Sequence, residues 1–297
     1  MLRSERCFEL LIILCYNLVS LITHIQATIL KKILFLGGGG RMDKKVQNLE
    51  KTKKTKTEDK FTPSISLQDL LEAGCHFGHT VSKTHPKIKP YLYLSRDGGQ
   101  IFDLIKTKEL LEKACQFLYR LSKEGKPIVF VGTKKQAKAI IEKTARESGA
   151  WAVFERWLGG TLTNWPEIQK RLKVLAKLKE EWEKGVYSKR PKKEQSQVKK
   201  EINRLGKLFG GLEGLTRLPA ALVIVDVKKE MTAVKEALKE KVALVAITDS
   251  NVDPTLVDYP VPANDDALKS INLLITEMGR AVKKGYAEAR KNGQDKS

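Results

Sequence analysis

An open, doubly wound α/β domain with a mostly parallel sheet, helices on both faces and an inserted helical hairpin is the fold class this sequence predicts. Three observations lead there. After Phe61, short apolar runs alternate with longer helix-like segments. The runs are nearly continuous in apolar residues, as strands buried on both faces are. One long insertion breaks the rhythm and carries apolar residues at alternating spacings of four and three.

Along the chain, residues 1–41 form an apolar extension whose core, 8–36 (FELLIILCYNLVSLITHIQATILKKILFL), is interrupted by Asn17, Ser20, Thr23, His24 and Gln26. It lacks an uninterrupted span of about 18 apolar residues and a small-residue cleavage site, so it resembles neither a membrane span nor a clean signal peptide. The "LGGGGRM" that closes it can be encoded by a purine-rich, ribosome-binding tract. The expectation is that translation begins at Met42 and that the leader is an artefact of start-site choice; a lineage-specific extension is the alternative. Residues 42–60, rich in Lys and Thr with no apolar period, are expected to be a disordered basic arm.

The α/β domain is expected over 61–290, with a disordered tail at 291–297. "IKPYLYL" and "QIFDL" flank "SRDGG" as a hairpin. "PIVFVG", "AWAVFE", "AALVIVD" and "VALVAITD" are the buried strands, and helices fit at 106–124, 134–148, 229–240 and 266–290. In the insertion, at about 166–212, Ile168, Leu172, Leu175 and Trp182 form one stripe. Val198, Ile202, Leu205, Phe209 and Leu212 form another, and "GVYSKRP" joins them. This pattern predicts an antiparallel coiled-coil hairpin whose apolar grid is satisfied within itself. Residues 167–207 hold fourteen Lys or Arg against six Glu, so the hairpin is a basic arm.

Charge narrows the function. With a formal net charge of +20, the chain is biased toward a polyanionic partner. Four dispersed cysteines (Cys7, Cys15, Cys75, Cys115) with no CxxC pair suggest neither a disulfide framework nor a zinc ribbon, and a reducing compartment fits. Aromatic residues make up only 7% of the chain and form no RRM-like motif, so base stacking is expected to be secondary.

Three places invite a chemical reading. Gly132 and Thr133 follow a strand, and Thr133 as a helix N-cap would leave the next amides free to cradle a phosphate. Neither GxxxxGK[ST] nor GxGxxG occurs, so a plain capped turn is preferred. Asp226 and Asp249 end apolar strands, where ligands of open sheets collect, but no nucleophile or acid/base pair accompanies them. An α/β enzyme using phosphate at Gly132 and an acid at Asp226 or Asp249 is the rival reading; a membrane-anchored adaptor rests on residues 8–36 alone. Cys75, His76, His79 and His85 crowd one stretch, yet "CHFGH" reads as a helix ending in a turn, with no acidic ligand nearby in sequence. No metal, cofactor or catalytic residue is expected.

Four motifs then resemble one family. "LLEAGCHFGHTVSKTHPKIKPYLYLSRDG", "RWLGGTLTNW", "PAALVIVDVKKEMTAVKEA" and "ITDSNVDPTLVDYPVPANDDALKSI" occur in order and are together similar to the bacterial ribosomal protein S2 (uS2) family, from about Ser66 to Tyr286. The resemblance implies a flavodoxin-like body with an inserted helical hairpin. It further implies a non-enzymatic role in the cytoplasmic ribosome, bound to small-subunit ribosomal RNA and neighbouring small-subunit proteins. Thr84 and His85 replace the Trp-Asn usual before the Pro-Lys of the family, so His85 is a local variant. The RNA contacts expected are Lys83, Lys87, Lys89 and Arg96 on one loop, Lys134 and Lys135 at a helix start, and Arg156 before "WLGG".

Overall fold

The computed structural model describes residues 61–294; the apolar extension, the basic arm and the last three residues lie outside that range. In chain order the elements are α1 (Leu67–Glu72), β1 (Phe77–Thr80), β2 (Leu92–Arg96), β3 (Gly99–Phe102), α2 (Leu104–Lys123), β4 (Ile128–Val131), α3 (Lys138–Ser148) and β5 (Trp151–Val153). They continue as α4 (Trp165–Glu183), α5 (Lys192–Phe209), β6 (Ala221–Ile224), α6 (Met231–Glu240), β7 (Ala243–Thr248), β8 (Tyr259–Pro262) and α7 (Leu268–Gln294).

Strands β4 to β8 form a five-stranded sheet in the order β5-β4-β6-β7-β8, with every pair parallel. Counted from β4, this is the 2-1-3-4-5 order of flavodoxin-like sheets, which reverses direction between β4 and β6. The apolar runs explain it residue by residue. Ile128, Phe130, Val223, Val225, Val245 and Ile247 enter the core that α2, α3 and α7 cover. Their alternates Val129, Val131, Leu222, Ile224, Leu244 and Ala246 enter a second core under α6 and the insertion. A strand buried on both faces has no position left for a polar side chain, which is why the runs are continuous.

Both edges of this sheet are blunted. On β8, Pro260 and Pro262 offer no N–H to an incoming strand. On β5, the 3₁₀ turn Gly210–Leu212 lies so close that a Cβ on Gly211 would sit 2.1 Å from the Ala152 carbonyl oxygen. Strands β1, β3 and β2 form a separate antiparallel sheet in that order.

The insertion folds as two helices, α4 and α5, and its packing is graded. Ile168, Leu172, Leu175, Leu205, Phe209 and Leu212 are buried in the same core as the sheet residues. Farther out, Val198 and Ile202 are only partly buried and Trp182 is 36% exposed. The expected self-contained grid therefore needs correction: the base of the hairpin is part of the body, and only the distal part is an appendage. Tyr187 caps the tip, its hydroxyl donating to Glu181 and its ring lying 5.1 Å under the Arg190 guanidinium.

Four local expectations change. The expected helix does end in a turn, at 73–76, but the "FGH" that follows continues as strand β1. Strand β8 was hidden by its prolines, which are tolerated because it is an edge. Helix α3 begins at Lys138 with Ala137 as its N-cap, so Thr133 does not cap it. Helix α7 runs to Gln294, past the expected boundary at residue 290.

Candidate nucleic-acid interface

A parallel sheet gathers the loops that follow its strands along the line of the strands' carboxyl ends, its carboxyl edge, wherever they lie in sequence. Here those loops are 132–137 after β4, 154–164 after β5, 225–230 after β6, 249–253 after β7 and 263–267 after β8. Strand β1 and the segment after it dock on the same edge. The His79 amide donates to Ser250 Oγ at 2.8 Å, the His85 amide donates to the Ser250 carbonyl at 2.7 Å, and Lys87 Nζ reaches Asp253 at 2.7 Å. The Val81 amide bonds Gly98 in the β2–β3 turn at 3.0 Å, which draws in the segment bearing Arg96.

All seven expected RNA contacts thus belong to this edge or to the turn tied to it, but they are not equivalent. Lys83, Lys87, Lys89, Arg96, Lys135 and Arg156 are exposed. Lys87 holds Asp253, which keeps that carboxyl well below its usual range chiefly through the Lys87 hydrogen bond. Lys134 is turned inward: its Nζ lies 2.6 Å from Asp266, 2.9 Å from Asp265 and 3.5 Å from Asp226. Desolvation by itself would lower the Lys134 pKa, but the hydrogen bonds and charges of these aspartates outweigh it and hold the ammonium charged. Its charge is spent inside the protein.

The crevice where the strand order reverses is filled by the protein's own groups. Glu230 accepts the Thr133 amide at 3.0 Å and also the Thr133 hydroxyl, so a carboxylate sits where a phosphate would meet the first amides of the turn. Gly132 is required for packing: a Cβ there would lie 2.4 Å from Ile141 Cδ1 and 3.2 Å from Val225 Cγ2. Asp226 accepts the Lys229 amide at 2.9 Å, and Asp249 accepts the Ser250 hydroxyl at 3.0 Å. Both close turns, and with Asp265, Asp266 and Glu230 they make the crevice anionic. Asp265 is pushed up to about 7, first by burial and then by the charges of Asp226 and Asp249. Asp266, which is 57% exposed, is instead held low by the Lys134 hydrogen bond, so the two neighbours differ because their burial differs.

The Cys/His cluster comes apart in space. Cys75 is buried and burial raises its thiol pKa, which disfavours the thiolate a metal would need. The His76 ring lies tilted against Phe77, with centroids 3.9 Å apart, and burial lowers its pKa. His79 instead points Nδ1 at Asp249, 3.0 Å away, while its Nε2 lies 3.1 Å from Asn251 Nδ2 and 3.7 Å from Asp266. His79, Asp249 and Asp266 each offer one ligand atom within 4.8 Å of the others, a donor set suited to a divalent cation. Sequence reasoning missed it because the acids arrive from two distant loops. Asp265, Asp266 and Glu230 were missed with them, the only signal being the "NDD" that follows the unrecognised β8.

Fold and site together define a flavodoxin-like α/β scaffold whose switch-point crevice is filled by its own side chains and whose rim is cationic. Comparison with known proteins agrees. The family model described as "Ribosomal protein S2" matches residues 70–285. The small ribosomal subunit protein uS2 of Dictyoglomus thermophilum is 46% identical over 221 residues, covering 74% of this chain and 90% of that protein. For uS2c of Mesostigma viride the identity is 43% over 222 residues, covering 75% and 97%. For uS2 of Chloroflexus aurantiacus it is 43% over 221 residues, covering 74% and 93%. The chain belongs to the ribosomal protein S2 family and is a structural constituent of the ribosome, with no enzymatic role.

Proposed function

We propose that the protein is seated in the small ribosomal subunit by binding its ribosomal RNA through the cationic edge of the sheet and the basic hairpin, with neighbouring small-subunit proteins completing the contact. The observation that carries this reading is the division of charge along one edge. Lys83, Lys87, Lys89, Arg96, Lys135 and Arg156 are exposed, while Lys134 is taken up by the carboxylates of the crevice. Exposed Lys and Arg neutralise phosphates and release counterions, giving affinity with little sequence information, and folded RNA is then read by shape. Among the described residues no helix is long and apolar enough to cross a membrane. The relatives carry names of small-subunit proteins, which supports placing the protein in the ribosome, and we read that ribosome as the cytoplasmic one.

The test is a filter-binding titration against small-subunit RNA over a salt series. Log affinity should fall steeply and linearly with log salt. Replacing Lys83, Lys89, Lys135 and Arg156 by Gln should flatten the slope by about 3, at about 0.7–0.9 for each phosphate that is no longer neutralised. A salt-independent affinity, or a slope unchanged in the fourfold variant, would overturn the reading.

A further inference from the structure

We propose that Glu236 is the positioning residue that sets the direction of the basic helical hairpin relative to the sheet. The proposal rests on the RNA-binding reading of that hairpin. Glu236 lies on α6 among Ala233, Val234 and Ala237, on the helix's buried side, and is itself only 8% exposed. A carboxylate in that position needs donors. It takes four from a single loop: Oε1 accepts the Gly160 amide at 2.8 Å and the Trp157 indole N–H at 3.2 Å, and Oε2 accepts the Leu162 amide at 2.9 Å and the Thr163 amide at 3.3 Å.

The loop is wound to fit. Gly160 has φ +91°, a region that favours glycine, and the Asn164 amide returns to the Gly160 carbonyl at 2.9 Å. The backbone amides of Gly160, Leu162 and Thr163 face one anion, as in an anion nest supplied with its own carboxylate. Helix α4 starts at Trp165, two residues beyond the last donor, with Pro166 fixing its first turn. The apolar contacts at the base of the hairpin bury area without prescribing direction. Four hydrogen bonds donated by the loop to one carboxylate do prescribe it, because the loop cannot rotate without stripping that buried group of its donors. The same clamp places Arg156, which immediately precedes Trp157.

The experiment uses the full chain with Cys7 and Cys15 replaced by serine and spin labels at Glu109→Cys in the body and Lys189→Cys near the hairpin tip. Glu236→Gln keeps the side-chain volume and removes acceptor capacity. Three results are expected: a shifted Trp157 indole N–H resonance, a broadened interlabel distance distribution, and weaker binding to small-subunit RNA. The weaker binding is diagnostic, because the substitution makes the protein more positive and charge considered by itself would tighten the complex. A distribution as narrow as that of the parent, or undiminished affinity in a broadened variant, overturns the proposal. If Glu236→Gln does not fold, Trp157→Phe removes one donor and leaves the carboxylate, and the same broadening must appear there. A parent protein that fails to bind the RNA would refute the RNA-binding reading, while the distance measurement would still decide for or against the clamp.

Discussion

Replacing Lys134 by methionine isolates the charge cage at the crevice. Methionine retains most of the apolar stem and removes the ammonium that faces Asp226, Asp265 and Asp266 at 3.5, 2.9 and 2.6 Å. Removing one partner of a fully buried pair costs about 3–5 kcal/mol. Lys134 and Asp226 are each 14% exposed and Asp266 is 57% exposed, so solvent screening reduces the expected loss to about 2–3 kcal/mol at pH 8. The loss must depend on pH. Asp265, raised on folding from 3.8 to about 7, binds its proton more tightly in the native state, so its contribution to stability falls as pH rises through that window. Lys134 opposes the rise, and without it the native carboxyl holds its proton to still higher pH. At pH 5 Asp265 is protonated with or without the lysine, and the penalty shrinks to roughly 1 kcal/mol, from Asp226 and the half-screened Asp266. Thermal melts at the two pH values read this directly. At about 2–4 °C per kcal/mol for a domain of this size, Lys134→Met should lower Tm by roughly 4–12 °C at pH 8 and by roughly 2–4 °C at pH 5. Equal losses at both values, or a loss below about 2 °C at pH 8, would refute the cage as a source of stability.

Two further perturbations test packing. Gly132→Ala should destabilise by about 1–3 kcal/mol through overpacking against Ile141 Cδ1, and Ile141→Val, which deletes that atom, should recover part of the loss in a double-mutant cycle. Additive losses in urea denaturation would count against it. Replacing residues 180–199 by a short Gly/Ser linker should preserve cooperative melting, whereas replacing 169–207 should abolish it or lower Tm strongly, since Leu172, Leu175 and Leu205 belong to the sheet's core. Similar melts for the two deletions would return the hairpin to the status of a simple appendage.

The parallel strands were legible because burial on both faces leaves only apolar residues, a pattern plain in "AALVIVD". Strand β8 was not, because an edge tolerates Pro260 and Pro262 and so loses the strand signature. Strand β1 is four residues long and none of them is buried, which leaves nothing periodic to detect. The hairpin's apolar stripe was visible, but its spacing could not reveal that the basal residues face the sheet. The site was the least legible part. His79, Lys134, Asp226, Asp249 and Asp265 meet only because four loops of the parallel sheet and strand β1 converge at the strands' carboxyl ends, and sequence separation says nothing of that. Glu236 did leave a trace: a glutamate three positions after Ala233 and one before Ala237 stands on a helix's apolar side, where a buried acid needs donors from elsewhere.

The occupied crevice has a thermodynamic consequence. In a doubly wound enzyme that site is completed by a diffusible ligand, and native-state stability then rises and falls with ligand concentration. Here Glu230 and Lys134 are covalently attached tenants, present at a fixed effective concentration whatever the metabolic state of the cell. A scaffold of this kind does not wait on nucleotide supply to complete that crevice, because the groups that fill it are carried by the chain itself.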